Sequence, residues 1–314
     1  MRHLSMRHAH QMVAGIMLAA FTAGCSREQA AAPPERTFPS AEAAAAALVA
    51  AAGRYDVPEL KAILGAAGDI LVSSEDTVLD RNHALAFAAE AQAQQHLDFD
   101  STKSSAVLSV GPADWPMPIP IVEKDGKWYF DAPAGKEEIL RRRIGQNELD
   151  AITVCLGFVE AQREYSLVRH DGAIVNQYAQ RIISTPGKQD GLAWRDANGT
   201  WQGPVGEDIA GFIEEGYSDK SRPFHGYYFK VLKGQGPSAP LGEMDFMVEG
   251  AMIGGFALVA APADYGVTGI QTFIVSWEGT VYQKDLGEKT LDAFKAMERY
   301  NPDSTWQAVE DPAP

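Results

Sequence analysis

The chain has 314 residues, a formal net charge of −15 and 46% hydrophobic residues. That length and apolar content suffice for one large core or two ordinary ones. Acidity of this size excludes binding to nucleic acid or anionic headgroups through bulk charge, and favours a solvated protein or a basic partner.

The first residues read as an export signal. Arg2 and Arg7 supply a positive start, Met12 to Phe21 is a short apolar core, and Thr22-Ala23-Gly24-Cys25 has the small-small-Cys form of a lipoprotein cleavage site. The apolar run is too short to span a bilayer comfortably, so residues 1–24 are expected to be a removed signal peptide. Cys25 would then be the acylated first residue, followed by a flexible tether over 25–36 rich in Ala and Pro. Removing residues 1–24 takes away two arginines and no acid, moving the net charge from −15 to −17. The expected location is the periplasm, with the membrane reached only through the lipid on Cys25.

An N-terminal α+β part is expected over 37–134. Ser40 caps a helix running to Ala52 and closed by Gly53, and Asp56 with Pro58 starts a second helix over Val57–Leu64. Asp80 to Gln95 reads as a third helix, and Val107–Val110 as a strand. Ile119–Ile121 and Trp128–Phe130 flank Lys124-Asp125-Gly126-Lys127, a hairpin signal. Prolines 116, 118 and 120 place its first arm at a sheet edge, because proline cannot donate to a ladder. His83 and His96 show no metal spacing with carboxylates.

The second part, over 135–314, opens with a long helix. Glu137 and Glu138 are expected in its first turn, followed by Arg141, Arg142 and Arg143 in salt bridges with nearby acids. Leu149, Ile152, Leu156 and Val159 recur at helical steps, with Ala151, Cys155 and Phe158 widening the stripe. Cys155 reads as a buried inert thiol. His170-Asp171-Gly172 is the stop signal, placing the helix end near Arg169. A loop-rich stretch follows, with an Asn198-Gly199 hairpin between Trp194 and Trp201 and a short helix over Glu207–Glu215. The remainder reads as antiparallel strands over Tyr227–Leu232, Phe246–Val248, Gly255–Ala260, Ile270–Trp277 and Thr280–Lys284. A closing helix starts at Thr290 and carries Leu291, Phe294 and Met297. Gly234-Gln235-Gly236-Pro237 reads as a turn, since no phosphate-loop Lys-Ser/Thr follows it.

One constellation has the residue types that catalysis requires. Glu207, Asp208, Glu214, Glu215 and His225 lie in the same stretch as Trp194, Trp201, Tyr217, Tyr227 and Tyr228. Glycan chemistry needs paired carboxylates beside aromatic platforms, one acid to protonate and one base to attack. The spacing does not require these acids to converge, and acids on an acidic chain are more often a solvated face. HExxH, GxSxG and SxxK do not occur, and no metal or cofactor motif is found.

Three segments carry a family resemblance: GPADWPMPIPIVEKDGKWYFDAPAGKEEILRRRIGQNEL, PFHGYYFKVLKGQGPSAP and GGFALVAAPADYGVTGIQTFIVSWEGTVYQKDLG. They resemble the bacterial envelope family DUF2950, a domain-of-unknown-function family, from about Thr37 onward. Leu241-Gly242-Glu243 and the 196–206 loop are less typical of it. The resemblance implies no activity and carries over no functional residue. The helices and curved sheet ending in DGKWYFD also resemble an NTF2-like cone. The second part, a long helix with AQREY followed by a sheet, resembles the heads of pilins and pseudopilins. Pilin-type filament assembly is excluded, because this helix leaves a folded region and begins EEILRRR.

The sequence thus supports an α+β protein anchored through Cys25. Its expected role is a non-catalytic envelope binding or assembly factor, with an envelope protein or cell-wall component as partner. One alternative is a cell-wall glycan- or peptide-acting enzyme using the 194–228 region. Another is a small-molecule carrier using the N-terminal cone, which predicts an apolar cavity lined by residues such as Phe87, Trp115 and Phe130.

Overall fold

A computed structural model describes residues 36–65, 68, 72, 77–205 and 223–310. The signal segment, Cys25 and the expected helix over Glu207–Glu215 lie outside the described residues. The fold is α+β, as its sequence implies, with helices packed on largely antiparallel sheets.

Helix α1 (Ala41–Arg54) starts where Ser40 Oγ accepts from the Ala43 amide at 3.2 Å. It runs through Gly53 and ends at Tyr55, whose φ of 50° is left-handed. Gly53 therefore does not close the helix. It faces Ala88 of α3 (Thr77–Ala93), whose Cβ is 3.6 Å from where a Gly53 Cβ would stand. Helix α2 (Val57–Leu64) has the expected bounds, with Asp56 Oδ1 accepting from the Glu59 amide at 3.1 Å.

The N-terminal sheet has the order β1 (Gln95–Phe99), β2 (Ser105–Val110), β4 (Ile121–Lys124), β5 (Lys127–Phe130), and β3 (Trp115–Pro116) pairs separately with β2. Gln95, expected as the last residue of the third helix, instead opens β1, held by five-residue antiparallel pairing with β2 from Gln95↔Val110 to Phe99↔Ala106. The hairpin forms on Asp125 and Gly126, both at positive φ. Its first arm, β4, is not an edge: the three prolines precede it, and Pro116 lies instead in the short β3 beside β2. One hydrophobic core fills this region, centred on Leu48, Ile63, Leu108, Ile119, Ile121 and Phe130.

Helix α4 (Ala132–Tyr165) spans 34 residues. Asp131 Oδ1 caps it through the Ala134 amide, and Pro133 lies in its first turn. Its start precedes Glu137 and Glu138, which therefore stand beyond the first turn. Glu138 instead pairs with Arg141 and, at 2.8 Å, with Arg142. The helix stops at Ser166, before the His170-Asp171-Gly172 signal. The sharp break is fixed by side chains: His170 stacks on Tyr165 with ring centroids 3.8 Å apart, and its Nε2 lies 3.0 Å from the Tyr165 carbonyl.

The principal sheet has the order β17 (Gln307–Ala308), β16 (Val281–Asp285), β15 (Gln271–Ser276), β14 (Ala257–Pro262), β9 (Tyr227–Leu232). Helix α4 covers one face, against β14 and β15, and the short α5 (Thr290–Ala296) covers β14 on the other. All six residues of β14 are accordingly buried. A smaller sheet, β6 (Arg181–Ile183), β7 (Gly191–Arg195) and β8 (Trp201–Gln202), includes a parallel β6–β7 pair and the expected β7–β8 hairpin. Gly234-Gln235 is not a turn but strand β10 (Gly234–Gln235), paired with β11 (Met244–Asp245); β12 (Met247–Val248) and β13 (Ala251–Met252) form a second ribbon. These elements enclose a second core that includes Cys155, Phe158, Tyr227, Phe256 and Phe273. Both cores belong to one compact unit, Glu35–Pro314. Among the described residues, no helix is long and apolar enough to cross a membrane.

Burial in this core has a pH consequence. Desolvation pushes the Cys155 thiol from 9.0 up to about 12. Desolvation, then Asp171 and Asp190, pushes the Tyr165 hydroxyl from 10.0 up to about 12. The unfolded chain ionises such groups from pH 9 upward, while the fold keeps them neutral until about pH 12. Their contribution to stability is therefore full below pH 9 and is lost between pH 9 and 12. Urea midpoints should be level from pH 7.5 to 8.5 and fall steeply by pH 11; an unchanged midpoint at pH 11 would contradict these burials.

Candidate functional site

A cavity of about 900 Å³ opens between α4, β6, the end strand β9 and α5. Helix α4 contributes Thr153, Val154, Gly157, Phe158 and Ala161, residues spaced to fall on one face. Phe224, Phe229 and Phe294 add aromatic walls, and the buried Leu192, Tyr227 and Leu258 form the floor. Gly157 shapes this groove directly: nothing lies within 4 Å of where its Cβ would stand, so any side chain there would project into open space. Tyr228 and Phe294 rings lie 6.5 Å apart along one wall.

The charged side chains lining the groove are Arg181, Lys230 and Lys295. Arg181 Nε faces Asp190 at 3.5 Å. Lys230 Nζ donates to the Lys295 carbonyl at 3.1 Å and stands 5.3 Å from the Phe294 ring centroid. Desolvation lowers the Lys230 pKa, and the nearby Glu298 only partly opposes it. Such a site can hold an apolar body and one polar, negatively charged end; its described lining residues include no Asp or Glu.

The sequence-derived site residues are described only in part. Glu207, Asp208, Glu214, Glu215 and Tyr217 lie outside the described residues. His225 has a left-handed φ of 45° and sets Nδ1 2.7 Å from Asp150 Oδ2 on α4, with its side chain about half exposed. Trp194 packs edge-on to Tyr165 and His170. Trp201 lies under the Arg195 guanidinium, 4.3 Å from its ring centroid. Tyr227 is buried, its hydroxyl donating to the Gln271 carbonyl at 2.9 Å. Of the proposed aromatic platform, Tyr227 and Tyr228 border the groove, and Trp194 and Trp201 do not.

A second cavity of about 580 Å³ lies in the N-terminal region. Phe87 and Trp115 line it, with Leu48, Leu60 and Met117. Phe130, expected there too, is instead packed in the core at 1% exposure. His83 and Glu90 stand at this cavity. His96 does meet carboxylates: its ring nitrogens lie 3.1 Å from Asp98 and 3.7 Å from Asp114. Asp114 reaches it through the β2–β3 turn, which spacing alone does not reveal. No group of three or more His, Cys, Asp or Glu among the described residues is placed to hold a metal ion.

Sequence reasoning missed Gly157, Lys230 and Lys295. Gly157 had a usable signal, a glycine inside a long helix where alanine would cost nothing in propensity. The two lysines meet only because α5 folds back over β9, and no spacing predicts that.

No curated protein and no solved structure matches this chain. A family model described as "Protein of unknown function (DUF2950)" matches residues 35–309, a span that takes in both cores and both cavities. The chain therefore belongs to the DUF2950 family.

Proposed function

We propose that this is an exported envelope protein, lipid-anchored at Cys25 in the periplasm, that works by binding and not by catalysis. Its ligand site in this reading is the groove between α4, β9 and α5. One observation carries the proposal: a cavity of about 900 Å³ with mainly apolar walls, in the size range of small-molecule sites. The export signal and tether read in the sequence support a groove that meets envelope ligands.

The test is Gly157→Leu. The new side chain enters open space, and leucine favours a helix over glycine by about 0.5–1 kcal/mol, so the fold should be unharmed or slightly more stable. The wild type should enhance the fluorescence of the neutral apolar dye N-phenyl-1-naphthylamine, and the variant should lose most of that binding at an equal or higher Tm. Equal dye binding by the two proteins would remove the groove from the account.

A second reading is a small-molecule carrier that uses the N-terminal part as an NTF2-like cone. The cavity of about 580 Å³ lined by Phe87 and Trp115 favours it. Dye binding that survives Gly157→Leu and falls in Phe87→Ala would support this reading instead.

A further inference from the structure

The groove and the chain differ in charge. The protein carries a net −15, yet Arg181, Lys230 and Lys295 line the groove with no Asp or Glu among its described lining residues. Among the described residues, only Arg181 of the three has an acid in salt-bridge range. Lys295 makes no ion pair with a described residue, and Lys230 is met by a carbonyl oxygen and an aromatic face. Among the described residues neither ammonium group has a carboxylate in salt-bridge range, and Glu298 only partly offsets the desolvation of Lys230. An incoming anion would give both a closer partner.

The walls also constrain the rest of the ligand. Thr153 Oγ1 already donates to the Leu149 carbonyl, and the Gln180 amide donates to the Gly250 carbonyl. The remaining α4 surface from Val154 to Ala161 is aliphatic and aromatic. A peptide would bring an amide and a carbonyl at every residue, each costly to bury without a partner. An alkyl chain brings none. From Thr153 to Ala161 the helix rises about 12 Å, which suits a medium-length chain.

We propose that the groove binds a single-chain anionic amphiphile, its alkyl tail along α4 and its carboxylate or phosphate head between Lys230 and Lys295. The proposal rests on the groove being the ligand site. The lowered pKa of Lys230 agrees with a cation whose desolvation Glu298 only partly compensates.

The experiment is displacement of N-phenyl-1-naphthylamine from the purified protein at pH 7.5 by four ligands below their micelle concentrations: dodecanoate, dodecyl phosphate, dodecanol and dodecyltrimethylammonium. The two anions should displace the dye at about tenfold lower concentration than dodecanol, and the cation should be the weakest. In Lys230→Gln/Lys295→Gln that preference should collapse to near unity. Lys295→Gln alone, at an exposed position, should already reduce it severalfold and guards against misfolding of the double variant. Equal displacement by all four ligands, or an anion preference unchanged in both variants, would overturn the proposal while leaving groove binding in place. Displacement by phosphatidylglycerol vesicles but not by dodecanoate would assign the lysines to a membrane surface and also overturn it. Dye that never binds, or that binds equally to Gly157→Leu, would remove the groove reading itself.

Discussion

Gln162→Leu should lower the unfolding free energy by about 2–6 kcal/mol, the cost of leaving two buried backbone groups without partners. Gln162 is fully buried on α4, where its Nε2 donates to the Ala179 carbonyl at 2.8 Å and its Oε1 accepts from the Ala179 amide at 2.8 Å. The side chain thus acts as a strand partner for a residue that belongs to no strand. Ala179 is itself fully buried, so water cannot replace the lost bonds. Leucine keeps the volume and removes both. Urea unfolding followed by tryptophan fluorescence measures the difference, and a loss under 1 kcal/mol would mean that Ala179 finds other partners.

Phe273→Ala should cost about 3–5 kcal/mol, the range for emptying a phenylalanine site in a packed core. Phe273 is fully buried on β15, with β14 and β16 on either side through Ala260 and Gln283. Its ring centroid lies 5.9 Å from that of Tyr227, and both belong to the core beneath α4. Its small cross-strand neighbour Ala260 leaves little side chain to collapse into the void. Because Tyr227 also floors the groove, this variant should lose stability and dye binding together, unlike Gly157→Leu. A loss below about 1.5 kcal/mol would show that the core repacks around the void, in the range of volume-conserving swaps.

Much of the framework was legible because local chemistry decided it. Asp56 and Pro58 mark the start of α2, and Asp125-Gly126 mark the β4–β5 turn, each by a conformational preference that needs no tertiary context. Where a distant partner decides, the sequence misled. Gln95 joined a strand and not the expected helix because β2 offers a matching edge, and α4 stops before Ser166 because His170 folds back on Tyr165. Gly234-Gln235 became a strand through pairing with Met244-Asp245. The groove was illegible for the same reason: Gly157, Lys230 and Lys295 come together from α4, β9 and α5, separated by long stretches of chain. The acidic residues singled out in the sequence lie outside the described residues, whereas the groove is defined by what is missing at Gly157.

The most direct test of the central claim is a crystal structure of the protein grown with dodecanoate. The account predicts tail density along α4 from Val154 to Ala161, against Phe158 and Phe294, with the carboxylate within hydrogen-bonding distance of Lys230 or Lys295. Density only in the N-terminal cavity beside Phe87 and Trp115, or a groove left empty at saturating ligand, would contradict it.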